Sequence, residues 1–485
     1  MKITKKRYLA LFLVLLLTLS TVCVPFVQAA PAPDGGALES EEPTPAPTPK
    51  PVVKSELLET IEPPACKAAV LMDAESGQVL YEYHAPDAEL HSYPASTTKV
   101  MTALLTLEAV DRGELNLEQV ITASDTFGYD LEAGGSTANI QAGEQMSLLD
   151  LLYCLMLPSA NEAANILAET VSGSIPEFVA LMNERAAELG MEDTNFANAH
   201  GLHNASHYTT AYDLALLVRQ AIKNDTFVTI TSSRTHEVPP TNLTDKTRKL
   251  SNTNALVNPL YNGHYSYNKA IGVKTGSTNA AGKCLTSAAR QGKDTLVCVV
   301  LGAEDVRDEK GNVIDRPQFS ESKRLLQWGF DTFQRKELLT MDPVAELPVE
   351  LSGDTTAVAV KPGEIPETLL PKDMDPAEFQ QDITLHYQSL EAPVEAGQVV
   401  GELTVRNGDT VYATVPLVAA ASAERSQFLG SVRTVQNFFD QTWVKVAIVA
   451  LVILILVCIV RFTMFKPRKG YRGKTRRQSR NRSRR

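Results

Sequence analysis

The chain has 485 residues, of which 44% are hydrophobic and 21% charged, so it is long enough for two globular domains of ordinary composition. Its net charge of −11 conceals an asymmetry, because all 57 acidic residues lie between positions 31 and 440 and both ends are basic. An acidic body between two basic ends argues against a nucleic-acid-binding protein and favours sorting across a membrane.

The N-terminus has the layout of a secretory signal peptide. Four basic residues within the first seven positions precede an apolar run over residues 8–19. Val27 and Ala29 then supply small side chains before a cleavage point, which predicts a signal peptide over residues 1–29. An uncleaved N-terminal anchor is the alternative. Residues 30–58 are dominated by proline, alanine and acidic residues, which predicts a disordered linker.

The next segment, residues 59–338, carries both strand and helix patterns. The order is two strands, four helices, three strands and one helix, and the corresponding stretches are residues 68–83, 96–110, 146–156, 174–189, 209–222, 269–277, 281–290, 294–303 and 322–333. The first helix is apolar on nearly all sides, which predicts burial. Because strands at both ends enclose the helices, we predict one α+β domain whose terminal strands share an antiparallel sheet.

The pattern of predicted elements changes after about Met341. Short β-rich runs separated by Pro, Gly and Asp turns predict a small all-β domain over residues 341–422. This domain has no cluster of reactive side chains, so we interpret it as a spacer or docking module.

The C-terminus combines an apolar segment with a basic tail. Residues 446–460 are fifteen consecutive apolar residues, fewer than the ~20 that span hydrocarbon, but aromatic and basic flanks extend them. We therefore predict a transmembrane helix over residues 443–463 and a cytoplasmic tail over 464–485, because positive segments stay inside. The body of the chain would then lie outside the cell, held to the cell membrane by a single-pass anchor. A basic nucleic-acid-binding arm is the rejected alternative.

Cysteines and histidines do not form a recognisable metal motif. The body contains Cys66, Cys154, Cys284 and Cys298, too few for a disulfide framework and without metal-ligand spacing. A disulfide between the last two, on adjacent predicted strands, is left open. His200 and His203 in A-H-G-L-H are interpreted as part of a structural turn, so we expect no metal and no cofactor.

Three short motifs occur in a fixed order along the predicted α+β domain. They are S-x-x-K at Ser96–Lys99, S-x-N at Ser159–Asn161 and K-T-G at Lys274–Gly276. Taken singly, the first two are weak, since S-x-x-K is expected about twice by chance in this length and recurs at Ser320–Lys323. A strand-borne K-T-G after the other two is far more specific and indicates serine acyl transfer.

The residue types explain the chemistry. Ser96 and Lys99 are three apart and share a helix face, so Lys99 can take the serine proton if its amine is neutral. Burial and the nearby cation of Lys274 would both lower the pKa of Lys99. Ser159 can pass the proton to a leaving amine, and Asn161 can hydrogen-bond the substrate backbone.

The third motif is suited to a substrate terminus. Lys274 and Thr275 offer a cation and a hydroxyl to a substrate carboxylate. Gly276 allows a peptide to approach the strand edge closely.

These residues carry a family resemblance. The blocks PASTTKVMTALL, PSANEAAN and VKTGSTNAAGKCL, together with FANAHGLHNASHYTTAYDLA and VVLGAE, resemble the low-molecular-weight penicillin-binding proteins, the serine D-alanyl-D-alanine carboxypeptidases. The resemblance spans about residues 65–335, and the β-rich segment resembles that family's C-terminal domain. It implies a β-lactamase/transpeptidase-like fold, peptidoglycan stem pentapeptides as substrates and β-lactams as inhibitors.

The resemblance also implies individual roles. Ser96 would be the acyl-enzyme nucleophile, Lys99 the base, Ser159 the proton shuttle and Lys274 the carboxylate anchor. The backbone N–H groups of Ser96 and Ser277 would form the oxyanion hole. Two departures stand out: family members usually end in an amphipathic helix lying on the membrane rather than a spanning one, and the position of Ser277 varies among them.

Four alternatives remain at this stage. A β-lactamase of the same fold needs a glutamate for deacylation, whereas the stretch after Gly190 offers Asn195, Asn198 and His200. A transpeptidase would carry a large extra domain. A DD-endopeptidase would differ in substrate, and an inactive membrane-tethered wall-binding protein would not need three intact motifs.

Overall fold

The computed structural model describes residues 61–85, 92–131 and 134–464. All of them fall within one of the two units into which the chain divides, Lys50–Arg485. The predicted signal peptide, the predicted linker and residues 465–485 of the basic tail lie outside the described residues.

The α-helices of the described part are numbered here in chain order. They are α1 (Lys99–Asp111), α2 (Leu148–Met156), α3 (Asn161–Ser172), α4 (Ile175–Glu188), α5 (Ala211–Ala221), α6 (Asp225–Ser232), α7 (Pro259–Asn262), α8 (Pro317–Thr332), α9 (Gln427–Asp440) and α10 (Thr442–Met464). Helices α3, α6, α7 and α9 are additions to the elements predicted from the sequence.

The strands are numbered in the same way. They are β1 (Ala68–Asp73), β2 (Val79–Tyr83), β3 (Val120–Thr122), β4 (Gln145–Ser147), β5 (Thr235–Val238), β6 (Arg248–Ser251), β7 (Ala270–Thr278), β8 (Gly282–Gln291), β9 (Asp294–Ala303), β10 (Val306–Arg307), β11 (Val313–Asp315), β12 (Phe333–Glu337), β13 (Ala345–Glu350), β14 (Ala357–Pro362), β15 (Glu367–Pro371), β16 (Gln380–Leu385), β17 (Leu390–Glu391), β18 (Val399–Asn407) and β19 (Thr410–Ala419).

The central sheet has the order β2-β1-β9-β8-β7, and each neighbouring pair is antiparallel. Strand β1 from the start of the domain pairs with β9 from its end, with Val70 opposite Val299. This confirms the prediction that terminal strands share one sheet. Strand β7, which carries K-T-G, is at the edge of the sheet and has one open side.

Both faces of the sheet are covered, which explains why β9 is an almost continuous apolar run. Successive side chains of a strand point to opposite faces. Val297 and Val299 lie in the core beneath α1 to α6, and Leu296 and Cys298 lie in the core beneath α8. The domain is therefore an α+β sandwich of helices around an antiparallel sheet, as predicted.

Polar caps fix where several helices begin. The side chain of Ser147 accepts the backbone N–H of Asp150 at the start of α2, and Thr210 accepts that of Asp213 at the start of α5. Such caps satisfy N–H groups that have no partner within the helix. Helix α1 lacks a side-chain cap and is instead continuous with a 3-10 turn, Ala95–Thr98.

The disulfide that the sequence left open does not form. Cys284 and Cys298 are both free thiols. Cys298 lies opposite Ser287, whereas Cys284 lies opposite Gly276 on the other side of β8. The two thiols also belong to the cores on opposite faces of the sheet, so no rotamer change could join them.

The second domain is built on a six-stranded sheet of order β16-β18-β19-β14-β13-β17. Strand β15, by contrast, pairs with β12, which follows α8 directly. This ribbon is tied to the central sheet by Arg335, whose guanidinium lies 3.0 Å from Asp73 Oδ1 and 2.7 Å from Asp294 Oδ1. Since Asp73 is fully buried, this desolvated ion pair anchors to the central sheet the ribbon whose strand β15 comes from the second domain.

The chain continues into two consecutive helices. Helix α10 is long and apolar enough to cross a membrane over Thr442–Phe462, which fits the predicted anchor. Helix α9 precedes it and exposes large apolar side chains on one face, at Phe428, Val432, Val435 and Phe439. The structure therefore places an amphipathic helix before the candidate span, where the sequence analysis expected the span alone.

Candidate active site

Ser96 lies in the 3-10 turn Ala95–Thr98, immediately before α1. Thr98 Oγ1 donates to the Ala95 carbonyl at 2.8 Å and also lies 2.8 Å from His207 Nε2. Because His207 Nδ1 accepts the N–H of Ala197, Nε2 carries the ring hydrogen and donates to Thr98. Burial lowers the pKa of His207 to about 3, so a neutral histidine fixes the turn that carries Ser96.

Lys99 is the first residue of α1 and is wholly buried. Its Nζ lies 3.0 Å from Ser96 Oγ, 2.7 Å from Asn161 Oδ1 and 2.6 Å from the His200 carbonyl oxygen. The amine therefore contacts the Ser96 hydroxyl directly and has no access to bulk water.

The electrostatics favour a neutral amine. Burial is the largest cause that lowers the pKa of Lys99, and the charge of Lys274 adds to it, while the carboxylate of Glu162 acts in the opposite direction. The pKa consequently lies well below the ordinary lysine value. A lowered pKa favours the neutral amine, and a neutral amine 3.0 Å from a serine hydroxyl can act as a general base.

Ser159 and Asn161 occupy the junction between α2 and α3. Ser159 has a positive φ of 68°, a strained conformation for a residue with a side chain. Its buried hydroxyl has no hydrogen-bond partner among the described residues. A buried polar atom without a partner is costly unless something else binds it, so this hydroxyl is free to contact a substrate.

The K-T-G segment of β7 packs against the turn that carries Ser96. A Cβ added to Gly276 would lie 2.9 Å from the Pro94 carbonyl oxygen and 3.2 Å from the Ser96 backbone nitrogen. Only glycine allows this approach without displacing the turn. The edge strand and Ser96 thus form the two sides of one cleft.

Lys274 is also wholly buried, and burial lowers its pKa to about 7. Its Nζ lies 3.0 Å from the Thr275 carbonyl oxygen and 3.4 Å from Thr275 Oγ1. The Ser277 hydroxyl accepts a hydrogen bond from Lys283 at 3.1 Å. An amine and a hydroxyl therefore lie together on the edge strand, an arrangement that can bind a carboxylate when the amine is protonated.

Sequence reasoning missed two polar contributors. Thr253 Oγ1 lies 2.6 Å from Thr275 Oγ1, which places a second hydroxyl beside the K-T-G segment. The backbone carbonyl of His200 is a partner of Lys99. The first could have been noticed from the Asn-Thr-Asn segment around Thr253, whereas a main-chain oxygen leaves no mark in the sequence.

The remaining candidates lie apart from this cleft or play another part. The His200 ring pairs with Asp130 at 2.9 Å, and the His203 ring packs edge-on to Tyr93. No group of three metal-ligating side chains assembles within residues 61–85, 92–131 and 134–464. The second S-x-x-K is part of α8, and its Ser320 donates to Asp315 instead of meeting a lysine.

Two protein families match the chain in succession. The Peptidase S11 family, described as D-alanyl-D-alanine carboxypeptidase, matches residues 58–305. The C-terminal domain of penicillin-binding protein 5 matches residues 333–425.

Individual relatives give the same picture. D-alanyl-D-alanine carboxypeptidase DacC of Escherichia coli is 32% identical, over 77% of this chain and 88% of that protein. DacF of Bacillus subtilis is 30% identical, over 75% of this chain and 87% of that protein. The crystal structure of penicillin binding protein 5 from Haemophilus influenzae superposes with a TM-score of 0.60 at 27% identity, covering 76% of this chain and 99% of that one.

Proposed function

The chain belongs to the Peptidase S11 family of D-alanyl-D-alanine carboxypeptidases, and from that premise we propose how its own residues carry out the reaction. It is a serine DD-carboxypeptidase that binds penicillin. We propose the role of each residue in the reaction, the identity of the substrate and the membrane topology. The observation that carries it is the wholly buried Lys99 amine 3.0 Å from the Ser96 hydroxyl.

The reaction begins with proton transfer from Ser96 to Lys99. The serine oxygen attacks the carbonyl of the penultimate D-alanine, and the backbone N–H groups of Ser96 and Ser277 stabilise the oxyanion. Ser159 passes the proton to the departing D-alanine amine, and Asn161 hydrogen-bonds the substrate backbone. Water then hydrolyses the acyl-enzyme ester, which restores the serine.

The substrate we propose is the stem pentapeptide of peptidoglycan. Lys274 and Thr275 bind its terminal carboxylate, and the open side of β7 pairs with its extended backbone. β-Lactams bear a comparable carboxylate and acylate Ser96 in the same way. The catalytic domain is assigned to residues 59–338 and the accessory domain to 341–422.

The experiment compares two substrates with purified enzyme. A stem pentapeptide should lose its terminal D-alanine, a cross-linked dimer without a free D-Ala-D-Ala end should remain intact, and Ser96→Ala should be inactive on both. Cleavage of the cross-link without release of terminal D-alanine would identify an endopeptidase instead. Rapid turnover of penicillin without a persistent adduct would favour a β-lactamase.

We further propose that α10 spans the membrane with the body outside and the tail 464–485 in the cytoplasm. Helix α9, with its exposed apolar face, directly precedes the span, which supports contact of α9 with the extracytoplasmic surface of the same membrane. A protease added to cells stripped of their wall should digest the body and spare a tag at the C-terminus. Loss of the tag from unbroken cells would reverse the orientation.

A further inference from the structure

The three oxygen neighbours of Lys99 decide where its lone pair points. A neutral amine has two hydrogens and one lone pair. The side-chain oxygen of Asn161 and the carbonyl oxygen of His200, at 2.7 and 2.6 Å, can only accept hydrogen bonds, so they take the two hydrogens. The lone pair is left facing Ser96 Oγ. The placement of the His200 carbonyl therefore helps to aim the base.

The His200 ring is held by hydrogen bonds at both nitrogens. Nδ1 accepts the backbone N–H of Leu202 at 3.1 Å, so Nε2 carries the ring hydrogen and donates it to Asp130 Oδ1 at 2.9 Å. The ring is buried, with 1% of its surface exposed. Without the Asp130 acceptor, a buried N–H would have lost its partner, which favours displacement of the ring.

The His200 ring is bonded to the main chain that follows it, because its Nδ1 accepts the N–H of Leu202. That main chain is closely packed: Asn198 accepts the N–H of Gly201 at 2.7 Å and donates to the Leu202 carbonyl at 3.0 Å. Gly201 also packs against the turn that carries Ser96, because a Cβ there would lie 1.9 Å from the Ala95 carbonyl oxygen. We therefore expect a shift of the ring to move the main chain whose carbonyl contacts Lys99.

Asp130 is in turn fixed by the helix that carries Asn161. Asn165, buried on α3, donates to the carbonyls of Phe127 and Tyr129 at 2.9 Å each and lies 3.4 Å from Asp130 Oδ1. Asn161 and Asn165 are four residues apart and share one face of α3. These hydrogen bonds thus form a closed network that runs from α3 through Asp130, His200 and Lys99 back to α3.

We propose that Asp130 is a positioning residue for acylation: through the His200 ring it holds the His200 carbonyl against Lys99 and keeps the lone pair of that amine directed at Ser96. The inference rests on the proposed role of Lys99 as the base. It requires a hydrogen-bond acceptor at position 130 and assigns no importance to the negative charge. A side-chain amide should therefore replace the carboxylate.

The test uses the full-length protein in detergent and stopped-flow acylation by nitrocefin. Saturation kinetics separate the first-order acylation constant from the dissociation constant of the noncovalent complex. Asp130 has a positive φ of 55°, so the acceptor is removed with Asp130→Gly, since glycine adopts this conformation without strain. Asp130→Gly should lower the acylation constant by roughly tenfold to a hundredfold, the scale expected for a misplaced catalytic group, with an unchanged dissociation constant. Asp130→Asn should keep most of the rate. Asp125→Gly, at an exposed position of the same segment, should behave like wild type.

Three results would overturn the inference while leaving the proposed function intact. They are wild-type acylation by Asp130→Gly, an equal loss in Asp130→Asn and Asp130→Gly, or a loss that appears only as weaker noncovalent binding together with a lower Tm. Failure of the wild-type protein to be acylated at all would overturn the proposed function, and this inference with it.

Discussion

The charge of Lys274 should govern how the enzyme responds to alkaline pH. Burial lowers the pKa of this side chain to about 7, so the cation is present below that pH and is lost above it. With a pKa of about 7, roughly 9% of the free enzyme retains the charge at pH 8 and about 1% at pH 9. If only the cation binds a terminal carboxylate, kcat/KM should fall about tenfold per pH unit above 7, because this ratio reports the free enzyme.

The assay compares a stem pentapeptide that ends in a free carboxylate with the same peptide blocked as an amide. The acid should show the alkaline decline, and the amide should be a poor substrate without it. Lys274→Gln should lower kcat/KM for the acid at pH 6.5 by about a hundredfold, roughly 2.7 kcal/mol of transition-state stabilisation, and should abolish the decline. Lys293→Gln, which removes an exposed cation at the Gly292 turn, serves as the matched control.

Two outcomes would refute this reasoning. If the amide shows the same alkaline decline, or if the decline persists in Lys274→Gln, another group is titrating. If wild type cleaves the amide as well as the acid, the enzyme does not read a carboxylate at all.

Three further substitutions test other parts of the structure. Lys99→Arg should lower the acylation rate by roughly 10²- to 10⁴-fold, because guanidinium stays protonated and cannot act as a base; rapid acylation in stopped flow would contradict this. Gly201→Ala should disrupt the turn at Ala95 and abolish penicillin labelling, since its Cβ would lie 1.9 Å from a carbonyl oxygen; normal labelling would mean that the loop can shift freely. Arg335→Ala should lower the free energy of unfolding by about 3 kcal/mol, because it leaves Asp73 buried without its ion pair; an unchanged denaturant midpoint would show that the pair contributes nothing net.

The parts of the fold that could be predicted are dense apolar runs bounded by turn or helix-start residues. Strand β9 and helix α1 are of this kind, and the structure confirms them. Helix α3 was not predicted; its buried face includes the small residues Ala163, Ala164 and Ala168. Helix α9 was not predicted either, although the apolar residues of its exposed face recur at helical spacing in the sequence.

The candidate site was also predictable only in part. Three motifs locate the reactive side chains because each role demands a particular residue type. The supporting contacts leave no pattern in the sequence. Asp130 and His200 are 70 residues apart, and one partner of Lys99 is a main-chain oxygen. The free thiols of Cys284 and Cys298 make the same point, because adjacent strands alone do not decide which face each thiol occupies.

The central claim is that Ser96 is the nucleophile and is activated by Lys99. The most direct measurement is intact mass spectrometry after incubation with benzylpenicillin, followed by peptide mapping of the adduct. The account predicts one penicilloyl group per chain on Ser96, and none in Ser96→Ala although that variant keeps the wild-type Tm. A penicilloyl group on any other serine, including Ser159 or Ser320, or undiminished labelling of Ser96→Ala, would contradict it.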